Sequence, residues 1–189
     1  MSIETPIDVV YSSPYYRCLQ TITPYVNLRR QHEERGQKPP TAASTIRPER
    51  GIAEWFGAAP FQHPEPAPAE TLRTMFPAYS MDYVSAQTPS RMGETLAQLY
   101  ERVAAAVRGI IEQCDAEGHR SIVLCTHAAV VIVLGRVLTG DIPTSSEVDD
   151  FQAYTCGLSL YRRKRGHQQS SYEQDKGSCL QFQGFWKER

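Results

Sequence analysis

Ser121-Ile122-Val123-Leu124-Cys125-Thr126 runs without a break into His127-Ala128-Ala129-Val130-Val131-Ile132-Val133-Leu134-Gly135-Arg136-Val137-Leu138. The first stretch is a continuous apolar run of strand length, the pattern of a strand buried on both faces in a parallel sheet. The second is apolar nearly all round, which predicts a largely buried helix that stops at Gly140. Just upstream, Leu96, Leu99, Val103, Val107, Ile110, Ile111 and Cys114 recur at spacings of three and four. Gln98, Glu101, Arg102, Arg108 and Glu112 lie between them, so an amphipathic helix follows Gly93-Glu94-Thr95 and ends at Gly118. Helix, strand and helix in succession indicate an α/β domain.

The N-terminal part repeats the strand-to-helix pattern. Ile7-Asp8-Val9-Val10-Tyr11 reads as a mostly buried strand, broken at Ser12-Ser13-Pro14. Ser13 suits a helix cap and Pro14 a first helical position. The helix then runs from Tyr15 to about Leu28, kinked or shortened by Pro24, and Arg29 to Lys38 reads as a charged loop. A short strand is expected at Thr45-Ile46, irregular structure through the Pro-rich Gly57–Ala69, and a short helix from Pro68 to about Phe76. Cys156 to Tyr161 alternates like a half-buried strand. A domain over 1–165 and a polar, mobile tail over 166–189 are predicted.

Composition excludes several classes. Of the 189 residues, 41% are hydrophobic and 22% charged, as in ordinary globular proteins. Lys+Arg 20 against Asp+Glu 21 gives a net charge of -1, so direct nucleic-acid binding is not expected. No apolar run is long enough to span a bilayer, and the N-terminus lacks the marks of a secretory signal, so an intracellular protein, cytoplasmic or nuclear, is expected without membrane contact. The five cysteines have no metal-ligand spacing. Free thiols, no metal and no cofactor are expected.

Two residues stand at the ends of buried strands, where open α/β sheets bind ligands. Arg17 lies in the first turn after one strand and His127 at the junction after another. Helix N-termini favour anions, and a guanidinium fork suits phosphate. Read singly, Arg17 fits a solvated side chain and His127 a structural one; read together they fit a phosphate site. Glu49 and Glu54 flank Gly51 and precede Trp55. They fit surface salt bridges, or a carboxyl made more basic by an apolar ring.

Ser12-Ser13-Pro14-Tyr15-Tyr16-Arg17-Cys18-Leu19-Gln20-Thr21 resembles the S-P-x-x-R-x-x-x-T segment of the histidine phosphatase (phosphoglycerate mutase-like) superfamily. Gly93-Glu94-Thr95 resembles its G-E-S/T element, and Thr126-His127-Ala128 its second catalytic-histidine motif. The motifs agree in order and spacing over residues 7 to 161. Within the superfamily, Glu49 to Trp55 is most similar to eukaryotic members, among them the phosphatase-like tau subunits of fungal transcription factor TFIIIC.

The resemblance implies a three-layer α/β/α fold with a mostly parallel sheet. It implies that Arg17 and His127 bind a phosphoryl group, that Glu49 donates a proton to the leaving group with Glu54 as the fallback, and that Glu94 supports the site. The family's Arg-His-Gly, whose histidine becomes phosphorylated, occurs nowhere in the sequence. The first strand that bears it is expected to be missing from between the strands at Ile7-Tyr11 and Ser121-Thr126. Two functions follow: a phosphomonoesterase domain that is inactive as it stands, acting on phosphate or a phosphorylated substrate, or a non-catalytic subunit among the other subunits of a nuclear RNA polymerase III transcription complex. Arg162-Arg163-Lys164-Arg165 fits a nuclear import signal or a solvated strand end.

Overall fold

The computed structural model describes residues 6–59, 61–142 and 153–163, and the backbone of Tyr172–Gln174. Three parallel strands form the central sheet in the order β2-β1-β3: β1 (Val9–Ser12), β2 (Ile46–Pro48) and β3 (Ile122–Cys125). Ser12 lies opposite Pro48 on one side and Cys125 on the other, so all three strands end at one level.

Alternation along the strands divides the core between two helical layers. Val10, Val123 and Cys125 face α1 (Tyr16–Glu34) and α2 (Ala69–Met75), packing with Leu19, Ile22, Val26, Leu72 and Phe76. Val9, Tyr11, Ile122 and Leu124 face the opposite layer, α3 (Leu96–Glu117) and α4 (Ala128–Thr139). There Leu99, Val103, Val107 and Ile110 meet Val130, Val133 and Leu134 or the strand residues. Each such side chain, fully buried, contributes about 1.5–3 kcal/mol. The result is a three-layer α/β/α sandwich. α3 opens with a capping box between Thr95 and Gln98 and closes on Gly118 in the left-handed conformation at φ 76°.

Four expectations need correction. β1 pairs directly with β3 along its whole length, so no strand is missing between them. Among the described residues β3 is instead the edge of this sheet, and its four residues are only half-buried rather than covered on both faces. α1 continues past Pro24 to Glu34, into the stretch expected to be a loop. Its last turns are held because Arg29 is buried and donates to Glu33 (3.2 Å) and Thr41 Oγ1 (3.2 Å). Finally, Cys156 to Leu160 is not a strand. Cys156 takes φ 56°, and the Gly157 N–H donates to the Tyr154 carbonyl at 2.9 Å, closing a turn. β4 (Tyr161–Arg163) starts only after it and pairs antiparallel with β5 (Tyr172–Gln174), which lies in the stretch expected as a tail. The remainder of that tail, with Lys164 and Arg165, lies outside the described residues.

Candidate functional site

The common level at which the three strands end brings Arg17, Glu54 and His127 together. Arg17 is in the first turn of α1, His127 is the residue before α4, and Glu54 follows the 3-10 turn Arg50–Ile52 beyond β2. His127 Nδ1 lies 3.1 Å from Glu54 Oε2, and Arg17 Nη2 donates to that oxygen at 2.9 Å. Arg17 Nε also lies 3.2 Å from His127 Nδ1. One ring nitrogen cannot give a proton to the carboxylate and accept one from the guanidinium at once, and the anionic partner favours the protonated form.

Burial opposes charge on both members of the pair, and the contacts overcome it. For Glu54, the hydrogen bond and charge of His127, the Trp55 N–H and Arg17 outweigh burial and hold the carboxyl down to about 2. For His127, hydrogen bonds to Cys18 and Glu54 outweigh burial and raise its pKa above the ordinary 6.5. Both shifts favour the charge-paired form of the site, imidazolium, carboxylate and guanidinium, with only the Arg17 side chain more than half exposed, at 56%.

Ser13, expected as a helix cap, has another role. α1 begins at Tyr16 with no side-chain cap, and Ser13 Oγ sits 2.8 Å from His127 Nε2. Cys18 Sγ lies 3.6 Å from the same nitrogen. Tyr15 stands edge-on to the His127 ring at 5.5 Å and carries the Arg17 guanidinium over its face at 5.1 Å. Ser13, Tyr15 and Cys18 were in the motif segment, but which of its side chains turn toward His127 depends on where the helix begins.

Glu49, expected as the proton donor, is placed elsewhere. Its carboxylate is fully buried and accepts from the backbone N–H groups of Gly51 (2.6 Å), Ala86 (2.8 Å) and Gln87 (3.3 Å) and from Tyr83 Oη (2.6 Å). These bonds fill the oxygens and tie the loop after β2 to residues 83–87. Of the two glutamates, Glu54 is the one the structure brings to Arg17 and His127. The buried Glu94 lies outside this triad. Arg102 bonds its carboxylate through Nε and Nη2 and donates Nη1 to the carbonyls of Gly51 (2.8 Å) and Ala53 (3.1 Å). With the Trp55 indole N–H on the Glu94 carbonyl at 2.8 Å, this fixes the backbone on both sides of Glu54.

The model of the Histidine phosphatase superfamily (branch 1) matches residues 3–175. The chain belongs to this superfamily. Among its curated relatives, the transcription factor tau 55 kDa subunit of Saccharomyces cerevisiae is 32% identical over 85% of this chain and 36% of its own length. The ecdysteroid-phosphate phosphatase of Drosophila melanogaster is 29% identical over 77% of this chain and 18% of its own. This histidine phosphatase domain thus spans about a third or less of the curated relatives it matches. The ecdysone phosphate phosphatase of Bombyx mori, solved in complex with tungstate, shares the fold with a TM-score of 0.57 at 20% identity, over 82% of this chain and 55% of that one. Among the described residues, no helix is long and apolar enough to cross a membrane.

Proposed function

We propose that this domain recognises phosphomonoesters and, with its own side chains alone, holds them without turning them over. The convergence of Arg17, His127 and Glu54 at the carboxyl ends of three parallel strands carries this reading. An incoming phosphoryl group takes the Arg17 guanidinium and the His127 imidazolium away from Glu54. The carboxyl then loses two partners that keep it ionised, becomes more basic, and is placed to hold the proton a leaving oxygen needs. What this set lacks is a nucleophile. His127 is turned into Ser13, Cys18 and Glu54, and no Arg-His-Gly occurs in the sequence. The family's reaction passes through a phosphohistidine, and losing the nucleophile of such a unit costs up to about 10⁶ in rate.

Two measurements test this. Vanadate or phosphate should shift the His127 imidazole resonances in NMR spectra, and the shift should shrink in Arg17→Ala. Hydrolysis of an aryl phosphate should stay near background. Robust turnover abolished in His127→Ala would overturn the reading, as would an Arg17→Ala variant that responds like the parent.

A second reading is favoured by the similarity to the tau 55 kDa subunit, which extends over 85% of the chain. In it the domain is a non-catalytic part of a nuclear RNA polymerase III transcription complex, its pocket serving recognition or assembly. Co-purification with TFIIIC subunits from nuclear extract supports it; an exclusively cytoplasmic protein without such partners rejects it.

A further inference from the structure

Beside His127, two free thiols from different elements meet. Cys18 sits on the buried face of α1, and Cys125 ends β3 on the side of the sheet that α1 covers. Cys125 Sγ donates to the Cys18 carbonyl at 3.4 Å and hydrogen-bonds with the Cys18 thiol. Cys18 Sγ in turn reaches His127 Nε2 at 3.6 Å. The two cysteines are 107 positions apart, so the packing of α1 on β3 is what brings them together.

The thiols are chemically unequal. Among the described residues Cys125 is half-buried, whereas Cys18 is only 4% exposed. The hydrogen bond with Cys18 outweighs burial and lowers the pKa of Cys125. The same contact, with burial, pushes the Cys18 thiol well up against the pull of His127. Thiolate character and access decide which cysteine meets an oxidant first, and a second thiol in contact with it resolves the product.

We propose that Cys125 and Cys18 form a modification site, converted by hydrogen peroxide to a disulfide that draws Cys18 away from His127. The Cys125 thiolate attacks one peroxide oxygen, the O–O bond breaks, and the departing hydroxide takes a proton from solvent to leave as water. The Cys18 sulfur then attacks the sulfenic acid sulfur of Cys125, the S–O bond breaks, and the hydroxyl leaves as water with the Cys18 proton. Two thiols are oxidised and one peroxide is reduced to two waters. His127 keeps Ser13 and Glu54 but loses the sulfur contact that helps hold it protonated. Oxidation therefore weakens the imidazolium offered to an oxyanion. That consequence for binding rests on the phosphoryl reading; the disulfide does not.

Peptide mapping tests the pair in the unaltered chain. After hydrogen peroxide, alkylation of the remaining thiols in urea and digestion with trypsin, peptides 18–29 and 121–136 should appear joined, two hydrogens lighter than their sum, and dithiothreitol should separate them. Cys18→Ser should leave a sulfenic acid on Cys125 that dimedone labels, and Cys156→Ser should keep the cross-link. Cys156 is exposed and acts on Cys125 through charge, so a cross-link from 121–136 to the peptide bearing Cys156 overturns the assignment. Two alkylated, unlinked peptides from the peroxide-treated chain overturn it as well. In NMR spectra the His127 ring resonances should move on oxidation and return with dithiothreitol, and phosphate affinity should fall about threefold. Unmoved resonances or an unchanged affinity overturn the link to His127. Phosphate that binds neither form overturns the phosphoryl reading and leaves the disulfide standing.

Discussion

His127 Nδ1 and Glu54 Oε2 stand 3.1 Å apart, and each holds the other in its charged form. The pair has a defined pH window. The raised pKa of His127 makes its contribution to stability complete below 6.5 and lost as the pH rises through the raised value. The depressed pKa of Glu54 makes its contribution complete above 4.5 and lost as the pH falls toward about 2. Thermal melts should therefore show this pair at full strength between 4.5 and 6.5, and Glu54→Gln should bring the His127 titration back down. An unmoved His127 titration in Glu54→Gln contradicts the pairing.

The two glutamates near Gly51 should separate by phenotype. Glu49→Ala strips the acceptor from three backbone N–H groups and the Tyr83 hydroxyl, and should cost on the order of 3 kcal/mol in urea unfolding. Glu54→Ala should cost less, since Glu54 is partly exposed and Arg17 mostly so, with a loss confined to the pH range in which His127 is protonated, and should change oxyanion binding instead. The opposite pattern would return Glu49 to the site.

Gly93 should resist substitution. It adopts φ 87°, and a Cβ there would come within 2.4 Å of the Gly57 carbonyl oxygen and 2.8 Å of His63 Cε1. Gly93→Ala should destabilise the chain by about 1–3 kcal/mol. A neutral melt would show that the loop relaxes freely.

The open side of β3 should promote association. Among the described residues, Ile122 to Cys125 are half-buried at the edge of the sheet. Unpaired strand edges template pairing with other chains. Sedimentation should show concentration-dependent association of the chain alone. A monomer with a sharp two-state melt would mean that the surface is covered.

What could be read from the sequence tracks the range of the signal. α3 and α4 were legible because their periodicities and terminal glycines are local, and the G-E-T and T-H-A segments fell where their elements end. The strand order was not, since β1 joins β3 through partners such as Tyr11 and Leu124, far apart in the chain. The last turns of α1 looked like a loop because Arg29 and Glu33 read as solvated charges, whereas each is satisfied inside the fold by the other and by Thr41. The resemblance put Glu49 ahead of Glu54 as the proton donor; the short 3-10 turn between them sends the Glu49 carboxylate into the loop backbone and that of Glu54 to Arg17 and His127.

Because the three strands end level, the site has no existence in any one part of the chain. Arg17 meets Glu54 across 37 positions and His127 across 110. Contacts so distant in sequence close late in folding, after the costly loops between them have been fixed. An oxyanion that needs both Arg17 and His127, as proposed above, therefore binds the native state and not its precursors, and stabilises the fold by mass action. Under the proposed function, ligand occupancy becomes a count of completely folded molecules, and a phosphoester would act on the newly made domain first as a folding ligand.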